Sequence, residues 1–270
     1  MPGPYPGDAA VAREKVSPLN RSSDRHYTCF VKIHVGTSGY SYKEWKGKFY
    51  PDRISPKEML SFYSRRFDTV EINNTFYRMP KQDLLLGWAQ QVPEGFVFAL
   101  KASQLITHIK RLRGVEADAA YLMETVAVLG QKLGPLLFQL PASFAKDLGR
   151  LKGLLDLLPR ATAALEFRHP SWFADETFDL LRERQCAWCV SDAEPAPPPD
   201  VVRTAPWGYL RLRRPGYTDA DLAQWQTQIA AQKWDEAYVF FKHEDEAAGP
   251  ALAERFRALA DRETHETSAA

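Results

Sequence analysis

Three charged residues of this chain lie in short runs that are otherwise apolar. Glu71 stands between Val70 and Ile72, and Lys101 and Glu166 close two equally apolar runs. A buried charge needs a partner, and partnered buried charges perturb each other's pKa, as is common at functional sites. We therefore regard Glu71, Lys101 and Glu166 as candidate catalytic residues.

The chemistry that these residues could perform is general acid/base catalysis on a small polar or anionic molecule, such as a sugar or a phosphate compound. One of the two carboxyls would be kept protonated by burial or by repulsion from the other. Lys101 and Arg168 would bind a carboxylate, a phosphate or a developing oxyanion. His169 and Asp192 are further catalytic candidates that would pass or orient protons. If Lys101 is desolvated beside Arg168, its pKa falls and Schiff-base chemistry becomes available.

Other functions are compatible with the same residues. A metal-dependent hydrolase or isomerase would use the carboxylates and His169 as ligands for Mg²⁺ or Mn²⁺, although the sequence requires no cofactor and predicts no specific metal site. A glycosidase would hold the two carboxyls roughly 5–5.5 Å or 6.5–9.5 Å apart across a cleft. A non-catalytic barrel would bind a sugar or nucleotide through aromatic residues and arginines. The predicted substrate-binding residues are Tyr40, Asn73, Tyr77, His108, Gln139, Arg168 and Arg211.

These candidates lie near the ends of eight strand-like runs that alternate with helical stretches, which is the pattern of repeated βαβ units. Eight such units predict an α/β fold, a single (β/α)₈ TIM-type barrel, whose sites form at the carboxyl ends of the strands. A doubly wound sheet is disfavoured because the chain has neither a G-x-G-x-x-G string nor a P-loop. The predicted strands are Val31–Gly36, Asp68–Asn73, Phe96–Lys101, Pro135–Leu140, Thr162–Phe167, Ala187–Asp192, Gly208–Arg213 and Ala237–Lys242.

Helical periodicity fills most of the connections between the predicted strands. Ser55, Pro56 and Glu58 have the order of an N-cap, a first-turn proline and a first-turn carboxylate. The stretch from Ala193 to Pro206 is rich in proline and has no helical period, so the helix between strands six and seven is predicted to be missing or irregular. The other predicted helices are Lys81–Val92, Asp118–Gln131, Lys146–Leu158, Asp175–Gln185, Asp219–Lys233 and Pro250–Arg262.

Composition narrows the class of protein. The chain has 270 residues and a formal net charge of +1, without the basic surplus of a dedicated nucleic-acid binder, and no apolar run approaches the roughly 20 residues that span a bilayer. Three cysteines are too few for a secreted disulfide framework, so we expect a cytoplasmic protein that does not bind membranes. The near-neutral charge disfavours a nucleic-acid partner, although the arginines over residues 211–214 keep binding of a nucleic-acid end open. Residues 1–27 are predicted to be a disordered leader, 28–262 the barrel and 263–270 a frayed tail.

Five strand-end strings occur in an order that is similar to one known family. They are Gly36-Thr-Ser-Gly-Tyr40, Val70-Glu-Ile-Asn-Asn-Thr-Phe-Tyr77, Lys101-Ala-Ser…Thr-His108, Phe138-Gln-Leu-Pro-Ala-Ser-Phe144 and Glu166-Phe-Arg-His-Pro-Ser-Trp172. Over roughly residues 32–259 the chain resembles the YecE-like family, also called domain of unknown function 72. The resemblance implies a TIM-type barrel with its site on these strings, but no reaction. Strand seven, Arg211-Leu-Arg213-Arg214, departs from the family's Arg-x-His-Gly, so strands two, three, five and six are expected to supply the site.

Overall fold

A computed structural model of the chain describes residues 31–193, 200–243 and 245–269, with side chains up to residue 260. Within these residues eight parallel strands form one sheet in the order β1-β8-β7-β6-β5-β4-β3-β2. The predicted (β/α)₈ barrel is thereby confirmed. The strands are β1 (Lys32–Thr37), β2 (Thr69–Ile72), β3 (Val97–Lys101), β4 (Leu133–Gln139), β5 (Ala163–Glu166), β6 (Ala187–Ser191), β7 (Trp207–Leu212) and β8 (Glu236–Phe241).

Helices surround the sheet, and most of them begin or end within a few residues of their predicted bounds. The first begins later than predicted, because Glu58 bonds back to Ser55 in a turn and the helix starts at Met59. Between β6 and β7 none of the residues that the structure describes is helical, as predicted. The helices are α1 (Met59–Tyr63), α2 (Asn74–Tyr77), α3 (Gln82–Gln91), α4 (Glu116–Val126), α5 (Leu148–Asp156), α6 (Asp175–Arg184), α7 (Asp219–Ala231) and α8 (Ala248–Ala269).

The strands separate two apolar cores, because successive side chains point to opposite faces of the sheet. The outer core lies between strands and helices and includes Cys186, whereas Cys189 belongs to the inner core inside the barrel. The two cysteines therefore point away from each other, as their spacing on a strand predicts. The inner core combines small side chains with the large aromatic ones that they accommodate. Its buried residues include Ala99, Leu137, Ala164, Ala187, Cys189, Trp207, Tyr209, Tyr238 and Phe240.

The barrel is closed between β1 and β2 by a side chain as well as by backbone. A single isolated bridge joins Ser38 to Glu71. Below it the Tyr63 hydroxyl from α1 accepts the Thr37 N–H at 2.9 Å and donates to the Thr69 carbonyl at 3.0 Å. A Cβ at Gly36 would lie 2.2 Å from the Thr69 carbonyl oxygen, so only glycine allows the two strands to approach this closely.

Replacement of Tyr63 by phenylalanine is expected to lower the free energy of unfolding by about 1–3 kcal/mol, since it leaves the buried Thr37 N–H and Thr69 carbonyl without their partner. Urea denaturation of the two proteins measures the difference. Tyr121→Phe, at a tyrosine that is 55% exposed on α4, is the matched control and is expected to change little. Equal effects of the two substitutions would contradict this role for the hydroxyl.

An ionic cluster lies at the opposite, amino-terminal end of the barrel. His34 is buried, its Nδ1 lies 2.6 Å from Asp68 Oδ2, and its Nε2 lies 3.4 Å from Glu236 Oε2. Its ring stacks on Tyr238 at 4.8 Å. Burial lowers the pKa of His34, but the hydrogen bonds to Asp68 and Glu236 outweigh it and raise the pKa above 6.5. In TIM barrels this end serves stability, and we assign the cluster that role.

The stabilisation by His34 is expected to depend on pH. Because its pKa is raised on folding, its contribution is fully present below pH 6.5 and is lost as the pH rises through the raised value. His34→Gln should therefore cost about 1–2 kcal/mol at pH 5.5 and less at pH 8.5, as measured by urea unfolding at both pH values. Asp68→Asn should weaken the same dependence, and a cost that grows with pH would refute the assignment.

Two predictions about the ends of the chain are not tested by the fold. The predicted leader over residues 1–27 lies outside the described residues, and the predicted tail begins within α8, so the division of the chain stays a prediction.

Among the helices that the structure describes, none combines the length and apolar character that crossing a membrane requires.

Candidate functional site

The polar layer above the inner core is organised around Arg211 of β7. Its Nη1 donates to Glu166 Oε2 at 2.5 Å and its Nη2 to Glu71 Oε1 at 2.9 Å, so one guanidinium joins the two predicted catalytic carboxylates. All three side chains are almost completely buried. Strand seven therefore supplies the centre of the cluster, although the sequence pattern favoured strands two, three, five and six.

Every carboxylate oxygen of the cluster is already hydrogen-bonded. Glu71 Oε1 also accepts from Asn73 Nδ2 at 3.1 Å, and Glu71 Oε2 accepts from the Tyr209 hydroxyl at 2.7 Å. On the other side Glu166 Oε1 accepts from Gln139 Nε2 at 2.7 Å and from Arg168 Nε at 3.1 Å. These bonds satisfy the buried charges, which would otherwise be costly.

The two glutamates are ionised, for the same reason in each case. Burial raises the pKa of Glu166, but the charges of Arg211 and Arg168 outweigh it and lower the pKa to about 2. Burial likewise raises the pKa of Glu71. The charge of Arg211 and the hydrogen bond from the Tyr209 hydroxyl outweigh burial and lower the pKa below its ordinary value. The geometry thus favours two permanent anions over the expected pair in which one carboxyl stays protonated. The Arg211 guanidinium also occupies the space between the two carboxyls, where a glycosidase would bind its substrate.

Lys101 lies beside this network at the mouth of the barrel. Its Nζ donates to Gln139 Oε1 at 2.9 Å, and Gln139 links it to Glu166. The amine also lies 4.0 Å above the centre of the Phe76 ring, which partly shields it from water. Burial and the charge of Arg211 lower its pKa to about 8, from an ordinary value of 10.5. The structure therefore brings Glu71, Lys101, Gln139, Glu166 and Arg211 together in one network.

His108 packs against the same aromatic ring. Its imidazole meets Phe76 edge to face with 4.9 Å between ring centres, and its Nδ1 lies 2.8 Å from Thr107 Oγ1. Burial and the charges of Lys101 and Arg168 lower its pKa below 6.5. At neutral pH His108 is therefore an uncharged imidazole next to the lysine.

Positive charge exceeds negative charge at the mouth. Lys101, Arg168, Arg211 and Arg213 are mutual electrostatic neighbours, and within this group only Glu71 and Glu166 oppose them. The Arg213 guanidinium makes no hydrogen bond or ion pair with another described residue, and Arg168 is 42% exposed. The exposed Arg168 and the half-buried Arg213 thus provide two cationic groups near the opening, as in sites that bind a carboxylate or a phosphate.

The loop that follows β3 is conformationally unusual. It contains a single π-helical turn at Leu105–Ile109, which includes His108. Directly after it, Arg111 and Leu112 have positive φ angles of 47° and 63°. Residues other than glycine rarely adopt this backbone conformation, and both π-turns and such strained residues are concentrated at functional sites. The loop therefore supports a site at this part of the rim.

The structure does not bring Asp192 and His169 to the other predicted catalytic residues. Among the described residues Asp192 holds the loop after β7, because Oδ1 accepts the Arg213 N–H at 2.6 Å and Oδ2 accepts the Tyr217 hydroxyl. His169 Nδ1 accepts the Ser171 N–H at 3.2 Å and caps the short helix Pro170–Trp172. Both residues position loops, and catalytic roles for them stay predictions.

The predicted ligand-binding tyrosines have different positions. Tyr77 is 73% exposed on the rim and edge to face with Phe76. Tyr40 is half-buried against Tyr63 in the outer core, and its carbonyl accepts the Tyr50 hydroxyl. Only Tyr77 is thus presented to a ligand at the mouth.

A metal ion would have to compete with the cluster's own cation. The oxygens of Glu71 and Glu166, the predicted ligands, are engaged by Arg211 and by neutral donors. In the part of the chain that the structure describes, no three His, Cys, Asp or Glu side chains are grouped as metal ligands. The donor set therefore fits a permanent guanidinium better than a divalent ion.

Two residues of the cluster, Tyr209 and Arg213, were not among the predicted site residues. Tyr209 lies two positions before Arg211 on β7, and Arg213 lies two positions after it, directly beyond the end of the strand. Continued alternation therefore places all three on the inner face. A pattern of Tyr, Arg and Arg at every second residue was the available signal.

Comparison with known proteins agrees with this description. The chain matches the family described as "Protein of unknown function DUF72" over residues 34–270. It is 31% identical to the UPF0759 protein YecE of Escherichia coli (strain K12) over 184 residues, which are 64% of this chain and 65% of that protein. It is 27% identical to the UPF0759 protein YunF of Bacillus subtilis (strain 168) over 156 residues, 54% of each. The matched part thus spans less than two thirds of these relatives.

Solved structures show the same fold. A DUF72 family protein from Thermotoga maritima MSB8 superposes with a TM-score of 0.74 at 25% identity, covering 85% of this chain and 99% of that one. A DUF72 family protein from Enterococcus faecalis V583 superposes with a TM-score of 0.68 at 18% identity, covering 86% and 98%.

Proposed function

Since the chain belongs to DUF72, a family of proteins of unknown function, we propose that it is an enzyme that binds a small anionic molecule at the carboxyl-terminal mouth of its barrel. Lys101 is the group that exchanges a proton with this molecule. The observation that carries the proposal is the pair of cations, Arg168 and Arg213, facing the opening above two carboxylates whose oxygens are all in use.

The roles within the site follow from these contacts. Glu71 and Glu166 keep Arg211 in place, and Gln139 aligns the Lys101 amine. Arg168 and Arg213 bind the anionic group, because an arginine bonds a carboxylate or a phosphate through two N–H groups. Lys101 serves as the proton acceptor, since a base functions best when its pKa lies near the working pH.

We propose that the protein acts in the bacterial cytoplasm and that its partner is a small molecule. The named relatives are bacterial proteins, and both described cysteines are free and buried. The surplus of positive charge is confined to the mouth, while the chain as a whole is almost neutral, which favours a small anion over a nucleic acid.

Anion binding is expected to raise the melting temperature of the protein. Inorganic phosphate should give a saturable increase of several degrees relative to sodium chloride of equal ionic strength, because a ligand of the folded state stabilises it by mass action. Arg213→Gln and Arg168→Gln should remove most of the increase. Arg182→Gln, at an exposed arginine of α6, is the matched control and should retain it. The same increase in all four proteins would show that the mouth is not the site.

Catalysis requires a separate readout from binding. Incubation of the protein with mixtures of anionic metabolites, followed by mass spectrometry, should reveal a compound that the wild type consumes and Lys101→Met does not. If phosphate binds at the mouth but no compound is consumed, the barrel is a binding protein and the enzymatic part of the proposal fails.

A further inference from the structure

The Lys101 amine is placed as a nucleophile as well as a base. It ends β3 at the boundary between the buried cluster and the opening, and its hydrogen-bond partner among the described residues is Gln139 Oε1 at 2.9 Å. This one hydrogen bond leaves the remaining bonding positions of the Lys101 nitrogen directed toward the space above the Phe76 ring. A lysine held this way in a partly desolvated site beside other cations is the arrangement that favours attack on a carbonyl group.

We propose that Lys101 forms an imine with a small carbonyl compound that carries a carboxylate or a phosphate, such as a 2-oxo acid or a phosphorylated aldehyde. This inference rests on the proposed anion-binding mouth and names its substrate class. Arg168 and Arg213 would hold the anionic group, and the carbonyl carbon would lie over the amine. The charges of Arg211 and Arg168 further support it, because they favour the neutral amine that attacks.

The covalent step is balanced without any co-reactant. The Nζ lone pair attacks the carbonyl carbon, the carbonyl oxygen takes up a proton and a carbinolamine forms. The carbon–oxygen bond then breaks, the hydroxyl group leaves as water after gaining a second proton, and the nitrogen loses its two protons as the C=N bond forms. One amine and one carbonyl thus give one imine and one water.

His108 is the residue placed to move these protons. It packs edge to face against the Phe76 ring, over which the Lys101 amine also lies. Its Nδ1 is engaged by Thr107, whereas its Nε2 has no hydrogen-bond partner among the described residues. A neutral imidazole in this position can accept a proton from the attacking nitrogen and return it to the departing hydroxyl.

Borohydride trapping tests the proposal on the full chain. The protein is incubated with pyruvate, glyoxylate or glyceraldehyde 3-phosphate, reduced with borohydride and mapped by peptide mass spectrometry. We expect the adduct on Lys101 to exceed that on exposed Lys152 of α5 by at least tenfold. Lys101→Arg should lose the adduct, Lys152→Arg should keep it, and His108→Gln should slow its formation.

Two results would overturn this inference: one excludes the imine and the other excludes its substrate class. Adducts spread over exposed lysines without enrichment at Lys101 would exclude the imine, while phosphate stabilisation that depends on Arg213 would leave the proposed binding function intact. Equal trapping of acetaldehyde and glyoxylate would exclude the anionic substrate class. If Lys101→Arg does not fold, as judged by circular dichroism, the ratio of Lys101 to Lys152 adducts in the wild type decides whether the imine forms at Lys101.

Discussion

Replacing Arg211 by methionine is expected to lower the free energy of unfolding by about 3–5 kcal/mol at pH 7. The substitution removes the charge that joins Glu71 to Glu166 and leaves two ionised carboxylates facing each other inside the barrel. Methionine fills much of the volume of the arginine stem, so the cost comes mainly from the unpaired charges. Urea denaturation at pH 7 measures this difference.

The cost should decrease in acid, which separates charge from packing. In the wild type, the stability contributed by ionised Glu166 is fully present above pH 4.5 and is lost as the pH falls toward about 2. Without Arg211, the largest charge that opposes burial at Glu71 and Glu166 is gone, although Arg168 still acts on Glu166. Both pKa values therefore rise above those of the wild type, and the variant takes up protons at a higher pH. The difference between the two proteins should therefore shrink between pH 7 and pH 5.

Neutral replacements provide the control for this prediction. Glu71→Gln and Glu166→Gln in the Arg211→Met background should each recover part of the lost stability, because each removes one unpaired charge. Arg182→Met, at an arginine that is 47% exposed, should cost within about 0.5 kcal/mol. A cost for Arg211→Met that is constant between pH 5 and pH 7 would mean that lost packing dominates.

The second large effect concerns the reactivity of Lys101. A pKa of about 8 leaves roughly a tenth of its amine unprotonated at pH 7, on the order of a few hundred times the fraction for a lysine of pKa 10.5. Acetylation of Lys101 should accordingly rise with pH to a half-maximum near pH 8. The groups that set this value are Arg211, Arg168, Glu166 and Glu71, with His108 across the Phe76 ring.

Competitive labelling with isotopic acetic anhydride, followed by peptide mass spectrometry, measures this midpoint for every lysine in one sample. Lys152 serves as the internal reference because it is 55% exposed. Arg168→Gln should move the Lys101 midpoint to higher pH by removing a neighbouring positive charge. A midpoint for Lys101 near pH 10.5 in the wild type would contradict the desolvated position of its amine.

The barrel could be predicted from local patterns because its strands are buried on both faces and rich in apolar residues. The eight strands lie within a few residues of their predicted bounds. Alternation along a strand also explains why Glu71 shares a face with Asn73, and Glu166 with Arg168. For the same reason Cys186 and Cys189 point apart.

What alternation could not predict is which inward-facing residues pair across the barrel. Arg211 lies 140 positions from Glu71 in the chain, and only the closed barrel brings them within 2.9 Å. Strand seven therefore has more of the site than its departure from the family pattern suggested. Asp192 is the opposite case, since a strand-end carboxylate looks catalytic in sequence, yet in the structure its oxygens accept bonds from the loop after β7.

The unequal closure of the barrel has a consequence for its biosynthesis. β1 pairs with β8 at six positions but meets β2, its neighbour in the chain, through one bridge and the Tyr63 hydroxyl. Among the described strands, the first to be translated thus gains its main partner only after the last has been made. Until β8 has been made, β1 is an open edge that other nascent chains could pair with, so the interval between translation of these strands is when misassembly is to be expected.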